Sequence, residues 1–237
     1  SVKDQYSMDE HQGILRAVTS TNEIKTTING ETASGTLSRN ASLWCIDLRD
    51  FKIKAQVENF APAGEQAESV RFDGDTAYVC TAEVITLTDP VYFFDLSDLT
   101  NITWKDTGTI DGYSSSLVDF GDGYLLGIGF NELRQLKVEI YVETADGVES
   151  LCSFEMPASF SGVYKSYLID REGGYVGLGV YNHDNGKTEC LLLEFDGYKL
   201  HKLVQEEIFA DVSTLRSVMI DGWLYILAEE FKVLNVY

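Results

Sequence analysis

Short apolar runs punctuate the chain, and the residues within them are mostly β-branched or aromatic. Ala77-Tyr-Val-Cys80, Val91-Tyr-Phe-Phe94, Tyr124-Leu-Leu-Gly-Ile128, Tyr175-Val-Gly-Leu-Gly-Val180 and Leu224-Tyr-Ile-Leu227 are examples. Each is too short for a helix, and Gly, Asp or Ser lie within a few residues of it, which predicts strands separated by turns. Where polar residues enter a run they alternate with apolar ones, the period of a half-buried strand. Helical periodicity is weak throughout; at most one turn is expected, near Gln205 to Ala210.

The runs are copies of one another. Glu68-Ser-Val-Arg-Phe-Asp-Gly-Asp-Thr-Ala-Tyr-Val-Cys80 returns as Ser115-Ser-Leu-Val-Asp-Phe-Gly-Asp-Gly-Tyr-Leu-Leu126, as Lys165-Ser-Tyr-Leu-Ile-Asp-Arg-Glu-Gly-Gly-Tyr-Val176 and as Arg216-Ser-Val-Met-Ile-Asp-Gly-Trp-Leu-Tyr-Ile226. Tyr6 to Arg16 is a looser copy. The turn glycines Gly74, Gly121, Gly174 and Gly222 lie roughly 50 residues apart, a period that marks a β-propeller when the repeat is made of strands. The expectation is an all-β, single domain over 1–237 with about five four-stranded blade repeats: 1–60, 66–110, 113–156, 160–208 and 212–237. The strands of a repeat are called A to D from the centre outwards. The last repeat has A 214–220, B 222–229 and C 231–237 and lacks its outer strand. In the first, B is placed at 13–20 and C at 42–48, and Thr19 to Ser42, rich in Thr, Asn, Ser and Gly, is read as a long loop. In the fourth, A is placed at 163–170.

A serine recurs in each A strand, at Ser7, Ser69, Ser116, Ser166 and Ser217. Small side chains suit the crowded inner edge of converging sheets, so packing accounts for them. The aspartates that follow, as in Asp73-Gly-Asp75, suit hairpin turns.

The sequence of 237 residues carries 38 acidic and 18 basic residues, a formal charge of -20. Such a surface repels phosphate backbones, which argues against a nucleic-acid partner, and repels anionic bilayers as well. No run of 18 apolar residues occurs, so insertion into a membrane by a helix is not expected. Cys45, Cys80, Cys152 and Cys190 are scattered among apolar runs, with no C-x-x-C pair and only three histidines to help ligate a metal. Free buried thiols are the reading, with one bridge between neighbouring repeats as the alternative.

Candidate chemistry is sparse. A G-x-S-x-G elbow is absent, and His11, His183 and His201 occupy unrelated positions in their repeats, so no catalytic residue is assigned. The B–C loop carboxylates Glu83, Asp89, Glu132 and Asp184 share one expected face; a carbohydrate hydrolase or lyase using them at a channel mouth is the alternative reading. Oxygen-rich turns at Asp73-Gly-Asp75, Asp119-Phe-Gly-Asp122 and His183-Asp-Asn-Gly186 leave a bound calcium open, but no loop has EF-hand spacing and no metal ligand is assigned. The favoured site is a recognition face made by the B–C and D–A loops. Tyr113, Arg134, Tyr164, Tyr181, His183 and Asp184 are its candidate binding residues, with Phe160 and Lys187 near them.

Gln5-Tyr-Ser-Met-Asp-Glu-His-Gln-Gly-Ile-Leu-Arg-Ala-Val-Thr19, Ser69 to Thr81, Asp89-Pro-Val-Tyr-Phe-Phe-Asp-Leu-Ser-Asp98 and Tyr124-Leu-Leu-Gly-Ile-Gly129 together resemble consecutive blades of bacterial secreted proteins with a C-terminal β-propeller domain. The chain is similar to the C-terminal part of that propeller. The resemblance implies export and a cell-surface or extracellular place; it brings no established activity and no catalytic residues. The favoured function is a non-catalytic binding module with a protein or glycan partner at the cell envelope, and no cofactor is assigned.

Overall fold

A computed structural model of the chain describes residues 1–29, 32–82, 88–111, 113–144, 147–162 and 166–236. Five sheets follow one another along the chain, and every pairing with a described register is antiparallel. Sheet one is β1 (Met8–His11), β2 (Ile14–Asn29), β3 (Thr32–Asp47) and β4 (Lys52–Val57). Sheet two is β5 (Gln66–Asp73), β6 (Thr76–Ala82), β7 (Thr88–Asp95) and β8 (Thr103–Asp111). Sheet three is β9 (Tyr113–Gly121), β10 (Tyr124–Phe130), β11 (Leu136–Thr144) and β12 (Gly147–Met156). Sheet four holds β13 (Ala158–Phe160), β14 (Leu168–Asp170), β15 (Tyr175–Asn182), β16 (Lys187–Phe195) and β17 (Leu200–Glu207). Sheet five is β18 (Arg216–Ile220), β19 (Trp223–Leu227) and β20 (Phe231–Asn235). In sheets one, two, three and five the strands lie side by side in chain order, as the repeat predicts; in sheet four β13 and β14 share one edge of β15.

The chain forms two compact units, residues 1–117 with 144–148 and residues 118–143 with 149–237. In the first, Val18, Leu43 and Cys45 of sheet one meet Val70, Val79 and Phe94 of sheet two. Arg16 adds a polar stitch. It is buried, grips Asp9 through Nε at 2.8 Å, donates to the Gly74 carbonyl, and lies 4.9 Å over the Phe72 ring. In the second unit, Ile128, Val138 and Ile140 of sheet three meet Leu178, Leu191 and Leu193 of sheet four. A further cluster joins Cys190 and Leu192 to Leu224 and Ile226 of sheet five. Close approach there depends on glycine: a Cβ on Gly177 would stand 2.9 Å from the Leu168 Cβ and 3.0 Å from the Ser217 Oγ.

Three expectations need correction. Thr19 to Ser42 is no loop: β2 and β3 stay paired from Ile14↔Asp47 out to Asn29↔Thr32, so the stretch continues sheet one as a two-stranded ribbon. Its many threonines, with Ile24 and Ile28, favour a strand in spite of the polarity that misled the composition argument. The fourth inner strand is divided, with β13 pairing to Ser159↔Tyr181 and β14 to Ile169↔Val176 on the same edge of β15. Phe160 therefore belongs to a strand; of the predicted 163–170 segment, Leu168–Asp170 is strand and 163–165 lie outside the described residues. The residues near Gln205 continue β17 and form no helical turn.

The recurrent serines are buried at Ser7, Ser69, Ser166 and Ser217. All four cysteines are free thiols; Cys45, Cys80 and Cys190 are buried, and burial pushes Cys45 up to about 11 and Cys190 up to about 12. Among the described residues no group of three or more His, Cys, Asp or Glu is placed to hold a metal ion.

The A–B hairpins of sheets one and five use two left-handed residues in succession, Gln12-Gly13 at φ 52 and 80 and Asp221-Gly222 at φ 48 and 80. Tight turns of this kind match the twist of the strands they join. The C–D turns are held instead by an aspartate at the end of the C strand. Asp47 accepts from the Arg49 N–H at 2.9 Å, Asp95 from the Ser97 N–H at 2.9 Å, and Asp196 from the Tyr198 and Lys199 N–H groups, both at 2.8 Å. These bonds favour the charged form. The Lys199 N–H, the His201 side chain and the Tyr198 N–H hold Asp196 down to about 2, and the Arg49 side chain and N–H hold Asp47 well below the usual range.

Two outcomes follow. Leu178→Ala removes a fully buried side chain from the sheet three to sheet four core and should cost about 2–5 kcal/mol in urea unfolding; a loss under half of that would contradict the packing. Asp196 has a folded pKa below its unfolded value, so its contribution is present above 3.8 and disappears as pH falls toward about 2. Asp196→Asn should therefore be less stable than the parent at pH 7, with the gap closing through that window; circular dichroism melts at stepped pH test it, and a gap constant with pH would disprove it.

Candidate functional site

The B–C turns of the second unit bring three candidate residues together. Tyr181 closes β15 and His183 and Asp184 form the turn to β16. The Tyr181 and His183 rings are 6.1 Å apart, His183 Nε2 lies 3.3 Å from the Ser159 Oγ, and the His183 N–H donates to the Pro157 carbonyl at 2.8 Å. All three side chains are exposed, Tyr181 at 43%. Arg134 stands on the β10–β11 turn, exposed at φ 58 beside Leu133, which is 75% exposed. Phe130, immediately before that turn, stacks on Phe160 at 4.6 Å, and Phe160 is opposite Val180. The two turns are thus neighbours at one end of this unit.

Both turns are fixed by the same device, which sequence reasoning missed. Asn131 Oδ1 accepts the Leu133 and Gln135 N–H groups at 3.0 Å, while its Nδ2 donates to Glu155 at 2.7 Å. Asn182 Oδ1 accepts the Asp184 N–H at 2.9 Å, while its Nδ2 donates to Glu189 at 3.0 Å. Each asparagine is buried; Asn131 follows directly on β10 and Asn182 is the last residue of β15. An asparagine bonding the backbone two residues on is a recognised turn signal, so this half was readable. The glutamate partners sit 24 and 7 residues away and only pairing of the strands delivers them.

Glu189 is the most enclosed carboxylate of the group. Burial pushes its pKa up, but donors from Asn185 at 2.8 Å, Asn182 at 3.0 Å and Gln205 at 2.8 Å outweigh that and leave it lowered. It is an ionised anchor for the turn, with its lone pairs committed to amides. Lys187, at the end of the turn, pairs with Glu207 at 2.5 Å. Glu132 and Asp184, two of the four loop carboxylates, are exposed on separate turns.

The other candidates fall apart from this cluster. Tyr113 begins β9, in the first unit, and Tyr164 lies outside the described residues, as does Glu83. In the first unit the corresponding strand ends hold a buried polar group instead. Thr81 Oγ1 donates to the Glu65 carboxylate, and burial followed by the nearby Glu65 charge drives the Tyr92 phenol far above its usual range.

A family model for a beta propeller domain matches residues 1–232. The chain belongs to the beta propeller domain family. The five sheets are its blade repeats, which agrees with the architecture read from the repeat. This propeller chain is 25% identical over 226 residues to an uncharacterized protein of Methanocaldococcus jannaschii, covering 94% of the chain and 33% of that relative. It is 24% identical over 231 residues to an uncharacterized protein of Archaeoglobus fulgidus, covering 96% and 32%. The chain spans about a third of the length of these curated relatives. Both organisms are archaea, so the relatives do not bear on the bacterial setting of the resemblance.

The turn clamp can be tested directly. Asn182→Ala removes a donor from buried Glu189 and an acceptor from the Asp184 N–H, and should destabilise by about 1–3 kcal/mol. Asn182→Asp keeps the acceptor but sets a second carboxylate against Glu189, so its deficit should shrink as pH is lowered from 7 to 4. Chemical unfolding of both variants decides it, and two deficits that ignore pH would refute the clamp.

Proposed function

We propose that this propeller is a non-catalytic recognition module, exported and held at the cell envelope, that binds a protein or glycan through the B–C turns of its second unit. The observation carrying the proposal is the pairing of exposed Tyr181, His183, Asp184 and Arg134 with turn backbones locked by Asn131–Glu155 and Asn182–Glu189. Rigid turns lower the ordering cost of binding, and an exposed tyrosine offers a stacking platform with a polar tip. The acid excess works against nucleic acid and anionic lipid as ligands. Export rests on the resemblance to secreted propeller proteins. A hydrolytic role would need paired carboxylates converging on a sugar bond. Glu132 and Asp184 are exposed side chains on adjoining turns, which suits contact with a ligand at the surface.

Glycan and peptide arrays probed with the intact chain test the reading. Binding is expected on one of the two, with no product released on prolonged incubation, and Tyr181→Ala or Arg134→Ala should weaken it at least tenfold. Silence on both arrays, or release of new sugar ends, would sink it.

A further inference from the structure

Sheet five is apolar on both faces, and only one is covered within its unit. Leu224 and Ile226 are buried against Cys190 and Leu192 of sheet four. The opposite face presents Val218, Ile220, Trp223, Leu227, Phe231 and Val233, each between 40% and 62% exposed. Register makes them contiguous: Val218 is opposite Tyr225 and Tyr225 opposite Val233, Ile220 is opposite Trp223, and Leu227 is opposite Phe231. A patch of this kind on a monomer marks an interaction surface.

The same chain shows what covers such a face. Counting from the A–B hairpin, Phe231 corresponds to Leu43 in sheet one, Val138 in sheet three and Cys190 in sheet four, each opposite the equivalent B-strand residue. Val233 corresponds to Cys45, Ile140 and Leu192. Those six residues are 0% exposed, whereas Phe231 is 62% and Val233 40% exposed. In each of these sheets the covering layer is the next sheet of the repeat. We propose that the exposed face of sheet five seats a further β-sheet of the same repeat, carried by polypeptide outside residues 1–237. The matched relatives, of which this chain spans about a third, have ample length for it. A charge of -20 on each copy opposes the rival arrangement, a second copy of this chain docked on the same face. The proposal is independent of the ligand face on the B–C turns.

The test places a thiol on the face, with Phe231→Cys and, separately, Val233→Cys, each checked for an unchanged circular dichroism spectrum. Maleimide modification is read at the new residue by peptide mapping, in the 237-residue chain and in the full polypeptide encoded by its gene. Rapid labelling of the 237-residue chain and at least tenfold slower labelling of the full polypeptide are expected. Equal rates would overturn the proposal, as would a reading frame encoding these residues alone. Protection already present in the 237-residue chain would overturn it too: in a sedimenting dimer it would assign the face to a second copy, and in a monomer to the chain's own sheets.

Discussion

The middle strands of sheet four are buried on both faces along most of their length, and that constraint governs what is built on them. Leu191, Leu192 and Leu193 are consecutive and all completely buried. Successive side chains of a strand point to opposite sides, so Leu191 and Leu193 enter the core shared with sheet three while Leu192 enters the one shared with sheet five. A sheet made of such strands has no stable existence alone; each must be sandwiched between neighbours. Glycine at 177 and small inner serines let the layers close to contact distance.

Polar groups trapped by this stacking are satisfied locally, and their partners shape the surface. Arg16 is neutralised by Asp9 and by the carbonyl of the next sheet's turn, so one buried cation ties two sheets together. Glu189 remains charged because three amides surround it, and two of those amides belong to the turn that carries His183 and Asp184. Core and recognition surface are connected at this point: a carboxylate in the interior sets the geometry of residues in solvent. The exposed side chains are then free to be selected for a ligand while the turn beneath them stays put.

Much of this was legible in the chain. Apolar runs with turn residues at a fixed period disclosed strand order and hairpins, because those features depend on neighbours in sequence. Composition failed where it was used as a proxy for loops, in the Thr-rich ribbon, since β propensity and polarity are separate properties of threonine. Tyr181, His183 and Asp184 lie together because they are neighbours in sequence at one strand end and its turn. The glutamates that fix the turns were not, since a strand must fold back before Glu155 reaches Asn131.

By itself, then, the sequence determined the repeat, most of its strands and the sites of the hairpin turns, all consequences of local periodicity and backbone preference. Only the tertiary structure decided which apolar faces are covered, which asparagine meets which glutamate, and that the face of Phe231 and Val233 stands open. These depend on the packing of one sheet on the next, and identical strand patterns are buried or exposed according to whether a neighbour is there.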